Sequence, residues 1–186
     1  MEDKSRENDR RDRSSPRALL INGTVGGGKT SAAEAVGDVL TQARVPNAVI
    51  DMDCLRRAWS SPPGDRFNMG LALRNLTSVS ANCIEAGSTS LVLAGVVEER
   101  SDRDDYEKAL GIPLVLCRLR VDLALVRDRL IRRHADEDDV LQWHLNRSLE
   151  LDAILESASV DDYSIDVTGM TLVETALAVV RAVGWT

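Results

Sequence analysis

Ala18-Leu19-Leu20-Ile21-Asn22, followed at once by Gly23-Thr24-Val25-Gly26-Gly27-Gly28-Lys29-Thr30, decides how the rest of this chain is read. The first five residues form a short apolar strand, and the next eight match the phosphate-loop pattern G-x-x-x-x-G-K-[ST]. Glycines let the backbone wrap closely and aim successive N–H groups inward at an anion. The helix expected after the loop adds its unsatisfied N–H groups and the positive end of its dipole. Gly23, Thr24, Val25, Gly26, Gly27 and Gly28 therefore form a nest for the phosphates of a nucleoside triphosphate. Lys29 is expected to reach the β- and γ-phosphates, and the Thr30 hydroxyl to ligate Mg²⁺. A glycine-rich turn matching by chance would lack the flanks seen here. An apolar strand precedes the loop, and Ala33, Val36, Leu40 and Ala43 form a helical stripe after it.

Outward from the loop, apolar runs alternate with helical patterns. Strands are expected at 18–22, 47–51, 89–95, 113–119 and 163–167. Met69, Leu73, Leu76 and Cys83 mark a helix over 67–86 that stops at Gly87. Further helices are expected at about 102–110, 122–134 and 138–158. A last one opens with the capping box Thr171-Leu172-Val173-Glu174 and keeps Val173, Leu177 and Val180 on one face. Such alternation implies an α/β fold, a parallel sheet covered by helices on both sides. Ligands then bind beyond the carboxyl ends of the strands, so the loops after residues 22, 51, 95, 119 and 167 should surround one site.

The 186-residue length suits one domain over 17–186, preceded by a charged tail at 1–16 that lacks apolar period and is expected to be disordered. The formal net charge of -7 argues against nucleic acid as a partner, which wants a basic face. No apolar run approaches the length of a membrane span, and the N-terminus has no signal-like apolar core. Neither a membrane nor export is expected, which leaves the cytoplasm. Cys54, Cys83 and Cys117 form no CxxC pair and are expected to be buried thiols, a metal or redox role being the lesser reading. Oligomeric state is not encoded in any pattern found.

The second strand ends in Asp51-Met52-Asp53-Cys54-Leu55-Arg56. Alternation along an extended chain would point both carboxylates to one side, at the edge where substrate and Mg²⁺ should sit. One can take the proton of an attacking hydroxyl while the other supports the metal; the bland reading is that one caps a helix. Which of the two leads stays open. Arg56 either holds an anionic substrate group or faces solvent. The third strand, Leu91–Val97, is apolar throughout and carries no aspartate, which weakens a motor or switch ATPase reading. Glu98 and Glu99 after it are read as solvated rather than as substrate contacts. The helix from Val121 to His134 gathers Arg129, Arg132 and Arg133 on a face distinct from Leu123, Val126 and Leu130. Arg129 and Arg133 are the better candidates for a site role, against a solvated basic face. Trp143 reads as a core residue, while His144 and Arg147, one turn apart, are placed where they can face an acceptor.

These residues together resemble the small P-loop kinases, with adenylylsulfate kinase the nearest pattern and the gluconate, shikimate, nucleotide and chloramphenicol phosphotransferases as the broader group. The phosphate loop is the specific match. The D-x-D-x-L-R strand end, Asp65-Arg66, the helix after it and an arginine-bearing stretch from Arg100 to Arg103 fill further slots. The lysine-glycine-leucine-tyrosine and phenylalanine-threonine-glycine elements of adenylylsulfate kinase have no counterpart. The resemblance implies a three-layer α/β/α fold with five parallel strands in the order 2-3-1-4-5, and a helical lid. It implies ATP and Mg²⁺ as donor and cofactor, lid arginines at Arg129 and Arg133, and Arg56 and Arg66 against the substrate. The expected activity is transfer of phosphate from ATP to a hydroxyl of a small molecule, its identity open among nucleotides, sugars, adenylylsulfate-like compounds and antibiotics. The competing expectation is a nucleotide-binding switch without an acceptor, which should show a third-strand acid or an N-K-x-D element; neither is present.

Overall fold

In the computed structural model, which describes residues 15–65 and 67–185, five parallel strands form one sheet in the order β2-β3-β1-β4-β5. The strands are β1 (Arg17–Asn22), β2 (Asn47–Asp51), β3 (Ser90–Ala94), β4 (Leu114–Arg120) and β5 (Tyr163–Asp166). The expected tail at 1–16 lies outside the described residues except for Ser15 and Pro16. Parallel neighbours need crossover connections, and helices supply them. They are α1 (Lys29–Gln42), the single turn α2 (Met52–Leu55), α3 (Met69–Glu85), α4 (Arg100–Leu110), α5 (Leu123–Arg133), α6 (Asp138–Ala158) and α7 (Leu172–Ala182).

Central strands buried on both faces are apolar along their middle, as Ala18–Ile21 of β1 and Leu91–Ala94 of β3 are. Along β1, Leu19 and Ile21 enter the core under α1 and α7, whereas Ala18 and Leu20 enter the core under α3 and α4. The expected stripe on α1 holds at Ala33, Val36 and Leu40, which are fully buried, though Ala43 lies exposed past the helix end; on α3 Leu76 is fully buried and Met69, Leu73 and Cys83 are half-buried. The stripe expected on α7 fails: Val180 is buried, but Val173 is 63% and Leu177 38% exposed. The small residues Ala176 and Thr175, with Val179, face the core instead, so that α7 lies close against α1. Its Thr171–Glu174 capping box is formed as expected. Of the three cysteines only Cys117 is buried, with its thiol pushed up to about 12 by burial; Cys54 is exposed on α2. No helix among the described residues is long and apolar enough to cross a membrane.

Register sets the site. Ile21 lies beside Ala94, and Ala94 beside Asp51, so the acidic end of β2 is level with the end of β1. The chain leaves β1 at Gly23, whose φ of 147° favours glycine. A Cβ there would also stand 2.9 Å from the Leu119 carbonyl oxygen of β4, backbone that cannot swing aside. Gly23→Ala is expected to destabilise the fold by about 1–3 kcal/mol, read as a lowered urea midpoint.

Candidate functional site

The phosphate loop runs from the end of β1 into α1, with Gly26 and Gly28 at φ of 75° and 91°. Lys29 Nζ donates to the carbonyls of Gly23 (2.9 Å) and Thr24 (3.0 Å). Burial pushes this ammonium down to about 8; Asp53 opposes the shift, Arg56 adds to it, and Asp51 opposes it again. The loop is tied to α6 because Thr24, itself buried, donates its hydroxyl to the Ser148 carbonyl at 2.6 Å.

Asp51 and Asp53 do come together, by a different route from strand alternation. The strand stops at Asp51, and Asp53 already lies on α2. Asp51 caps that turn, its Oδ1 accepting the Asp53 N–H at 2.8 Å, while its Oδ2 accepts the Thr30 hydroxyl at 2.9 Å. Both oxygens of Asp51 are thus engaged. Asp53 keeps its side chain 69% exposed and pairs with Arg56. The capping reading therefore holds for Asp51, and both carboxylates line the same cleft.

Arg129 and Arg133 face the loop from α5. They line one cleft of about 310 Å³ with Lys29, Thr30, Asp51 and Asp53. A Cβ on Gly28 would stand 3.9 Å from Arg129 Nη1. Arg132, on the same face by helical geometry, is exposed and does not reach this cleft. Neither Arg129 nor Arg133 forms an ion pair among the described residues, and with Lys29 they put three cations in the cleft beside the two carboxylates. His144 of α6 joins the cleft, stacked on His134 at 4.4 Å; its Nδ1 lies 2.7 Å from the Val140 carbonyl, which sets that nitrogen as the donor.

Other expectations are corrected. Glu98 is no solvated group: it is half-buried and ion-paired with Arg147. Trp143 is 39% exposed rather than core, because it stands on the outer side of α6 edge-on to His144. The slot filled by Arg100 to Arg103 lies on α4, where Arg103 binds Asp162, Glu107 and the Val160 carbonyl and so pins the sheet end rather than a substrate. Asp65 accepts the Met69 and Gly70 N–H groups at the start of α3. Arg66 lies outside the described residues.

Asn22 was not singled out by its sequence. It is fully buried, donates to the Val97 carbonyl (3.0 Å) and to Asp161 Oδ1 (2.9 Å), and accepts from the Gly23 N–H (2.9 Å) and the Val97 N–H (3.3 Å). Burial raises the Asp161 carboxyl above its ordinary value, and the Asn22 hydrogen bond draws it back. The available signal was a polar residue closing an apolar strand, since a buried amide must find partners.

No protein-family model matches the chain, and no curated protein matches it. Solved structures do. A shikimate kinase from Acinetobacter baumannii, in complex with shikimate, shares 14% identity at a TM-score of 0.61 over 93% of this chain and 95% of that one. A Deinococcus radiodurans tunicamycin resistance protein shares 21% at 0.61, over 92% and 97%. The Mycobacterium tuberculosis APS kinase, in complex with AMPPNP and APS, shares 18% at 0.53, over 91% and 98%. At such identities the likeness establishes the fold alone: a three-layer α/β/α arrangement, in the strand order expected.

The Asn22 assembly has a measurable consequence. Asn22→Leu keeps the volume but strands buried partners, at about 1–3 kcal/mol for each group left unpaired. A fall of many degrees in Tm is expected, and an unchanged Tm would show that these hydrogen bonds do not hold the loop.

Proposed function

We infer that this protein is an ATP- and Mg²⁺-dependent kinase that phosphorylates a hydroxyl of a small molecule. The observation that carries this reading is the single cleft in which Lys29, Thr30 and the Asp51/Asp53 pair face Arg129 and Arg133. Phosphoryl transfer is catalysed chiefly by positioning and by neutralising charge on the transferred group, and these are the groups that do both. The fold neighbours support it: one is a kinase bound to an ATP analogue and a small-molecule partner, another a kinase bound to shikimate.

The loop N–H groups and Lys29 hold the β- and γ-phosphates, and Lys29 exchanges its two carbonyl contacts for phosphate oxygens. Thr30 and Asp51 present hard oxygen donors 2.9 Å apart, a set that fits Mg²⁺, which takes one or two protein oxygens beside phosphates and water. Bound there, the ion would neutralise phosphate charge. Asp51 is occupied on both oxygens, so Asp53, the more exposed, is the base. The acceptor oxygen bonds to the γ-phosphorus as the bond to the β–γ bridging oxygen breaks. The hydroxyl proton passes to Asp53, and ADP leaves. Arg129 and Arg133 neutralise charge on the moving phosphoryl group. The enzyme acts in the cytoplasm, where ATP is supplied.

Lys29→Ala is expected to abolish stabilisation by ATP in a thermal melt; an unaltered shift sinks the assignment of the loop. Asp53→Asn should slow phosphoryl transfer by about 10²–10⁴-fold while ATP still binds, and full activity in this variant removes Asp53 as the base. A pH effect follows from the Lys29 shift. Phosphates favour the charged ammonium, so its value in the complex lies above the value of about 8 in the free protein. Nucleotide binding then takes up a proton in that interval, and affinity falls as pH rises past 8. Calorimetry in buffers of different ionisation enthalpy should show uptake above 8 and none near neutrality.

A further inference from the structure

Beyond the phosphoryl-donor cleft the chain carries a groove whose walls state a requirement on the acceptor. The groove, about 420 Å³, shares Arg56, Met69 and Val96 with the donor cleft, so the two are continuous. Phe67, Met69, Val96, Ile154 and Ala158 give it an apolar lining. Past Phe67 and Glu98 it opens into a further space beside Trp143 and Arg147. We propose that this groove holds the acceptor, and that the acceptor is a hydroxyl compound with an apolar face and no anionic group. The inference rests on the kinase reading above and narrows its substrate class.

The argument compares the arginines at the two ends. At the phosphate end Arg129 and Arg133 have no carboxylate partner among the described residues. In the groove every described arginine already has one. Arg56 pairs with Asp53 and lies 5.6 Å over the Phe67 ring. Arg147 pairs with Glu98 and Glu150 and lies 5.7 Å over the same ring. Phe67 is thereby contacted by two guanidiniums, each neutralised by its own acid. The remaining charged groups of the groove are Glu99 and Asp102. Asp102 accepts the Glu98 and Glu99 N–H groups, and Glu99 accepts the Ser101 hydroxyl, so both are held in place by the start of α4. A carboxylate, sulfate or phosphate entering here would have to displace Asp53 or Glu98 from its arginine and then face further carboxylates. An uncharged or amine-bearing compound meets neither cost and covers the apolar wall.

The test uses the full chain with Mg²⁺ and ATP labelled at the γ-phosphate. Chloramphenicol, kanamycin and uridine serve as acceptors without an anionic group; gluconate, shikimate and adenylylsulfate serve as anionic ones. Label should pass to at least one of the first three, and to each anionic acceptor at least about tenfold more slowly, since like charges penalise the wrong partner. Faster or equal labelling of an anionic acceptor overturns the inference and leaves the kinase reading intact. Labelling of none of the first three also overturns it. If label then appears in no product and Lys29→Ala binds ATP as the parent does, the kinase reading falls as well. A second variant reads the charge argument directly. Glu98→Gln leaves Arg147 with one fewer acid and should raise transfer to the anionic acceptors, whereas an unchanged ratio of anionic to neutral labelling contradicts the account.

Discussion

At the carboxyl end of β1 a buried amide has no water to turn to, so the partners of Asn22 must come from the protein. Its hydrogen bonds join the first residue of the phosphate loop, the backbone at Val97 after β3, and Asp161 ahead of β5. These three segments belong to different crossovers of the sheet, and Asn22 fixes all of them at one point. The loop cannot take its shape unless β1 ends level with β3 and β4. Gly23 shows how little slack is left, with the Leu119 carbonyl pressed where a side chain would begin. Interiors packed this tightly pass a displacement on rather than absorb it.

From that fixed point the site divides by the state of its charges. Arg129 and Arg133, beside the loop, have no acid partner among the described residues, which leaves them ready for an anion. Lys29 shows the cost of burial in its lowered basicity and in the loop carbonyls it gathers for itself. Arg56, Arg103, Arg118 and Arg147 have acids in place. Arg118, 5% exposed on β4, holds Asp152 and Glu156 and so fastens the second half of α6 to the sheet. Thr24 fastens the same helix to the loop through Ser148. The helix that carries His144 and Arg147 is therefore linked to both the loop and the groove proposed for the acceptor.

Local patterns were legible in the amino-acid order, and tertiary pairings were not. Strand–loop–helix at 18–42 is a short-range pattern, and it was sufficient to give the fold class and to mark the loop that closes β1. The spacing of Arg129 and Arg133 follows from the helical period, which also explains why Arg132 was a plausible companion. Asp51 and Asp53 were found for a partly mistaken reason, because a capped single turn places carboxylates as well as an extended strand does. What stayed hidden depends on partners far along the chain. Arg103 meets Asp162 across 59 positions and Arg118 meets Asp152 across 34, so no window of sequence shows that they are taken. Trp143 was assigned to the core on residue type alone, and α6 turns it outward. Val173 and Leu177 form a proper stripe, but close approach of α7 to α1 selects smaller side chains for the contact.

The central claim is that Lys29, the Asp51–Thr30 pair and the two α5 arginines form one phosphoryl-donor site. A crystal structure of the full chain with AMPPNP and Mg²⁺ tests it most directly. The account predicts Lys29 Nζ released from the Gly23 and Thr24 carbonyls onto the β- and γ-phosphates, with Arg129 and Arg133 closing on the γ-phosphate and Asp53 beside it. A nucleotide bound elsewhere, or Lys29 still on those carbonyls with both arginines turned to solvent, would contradict it.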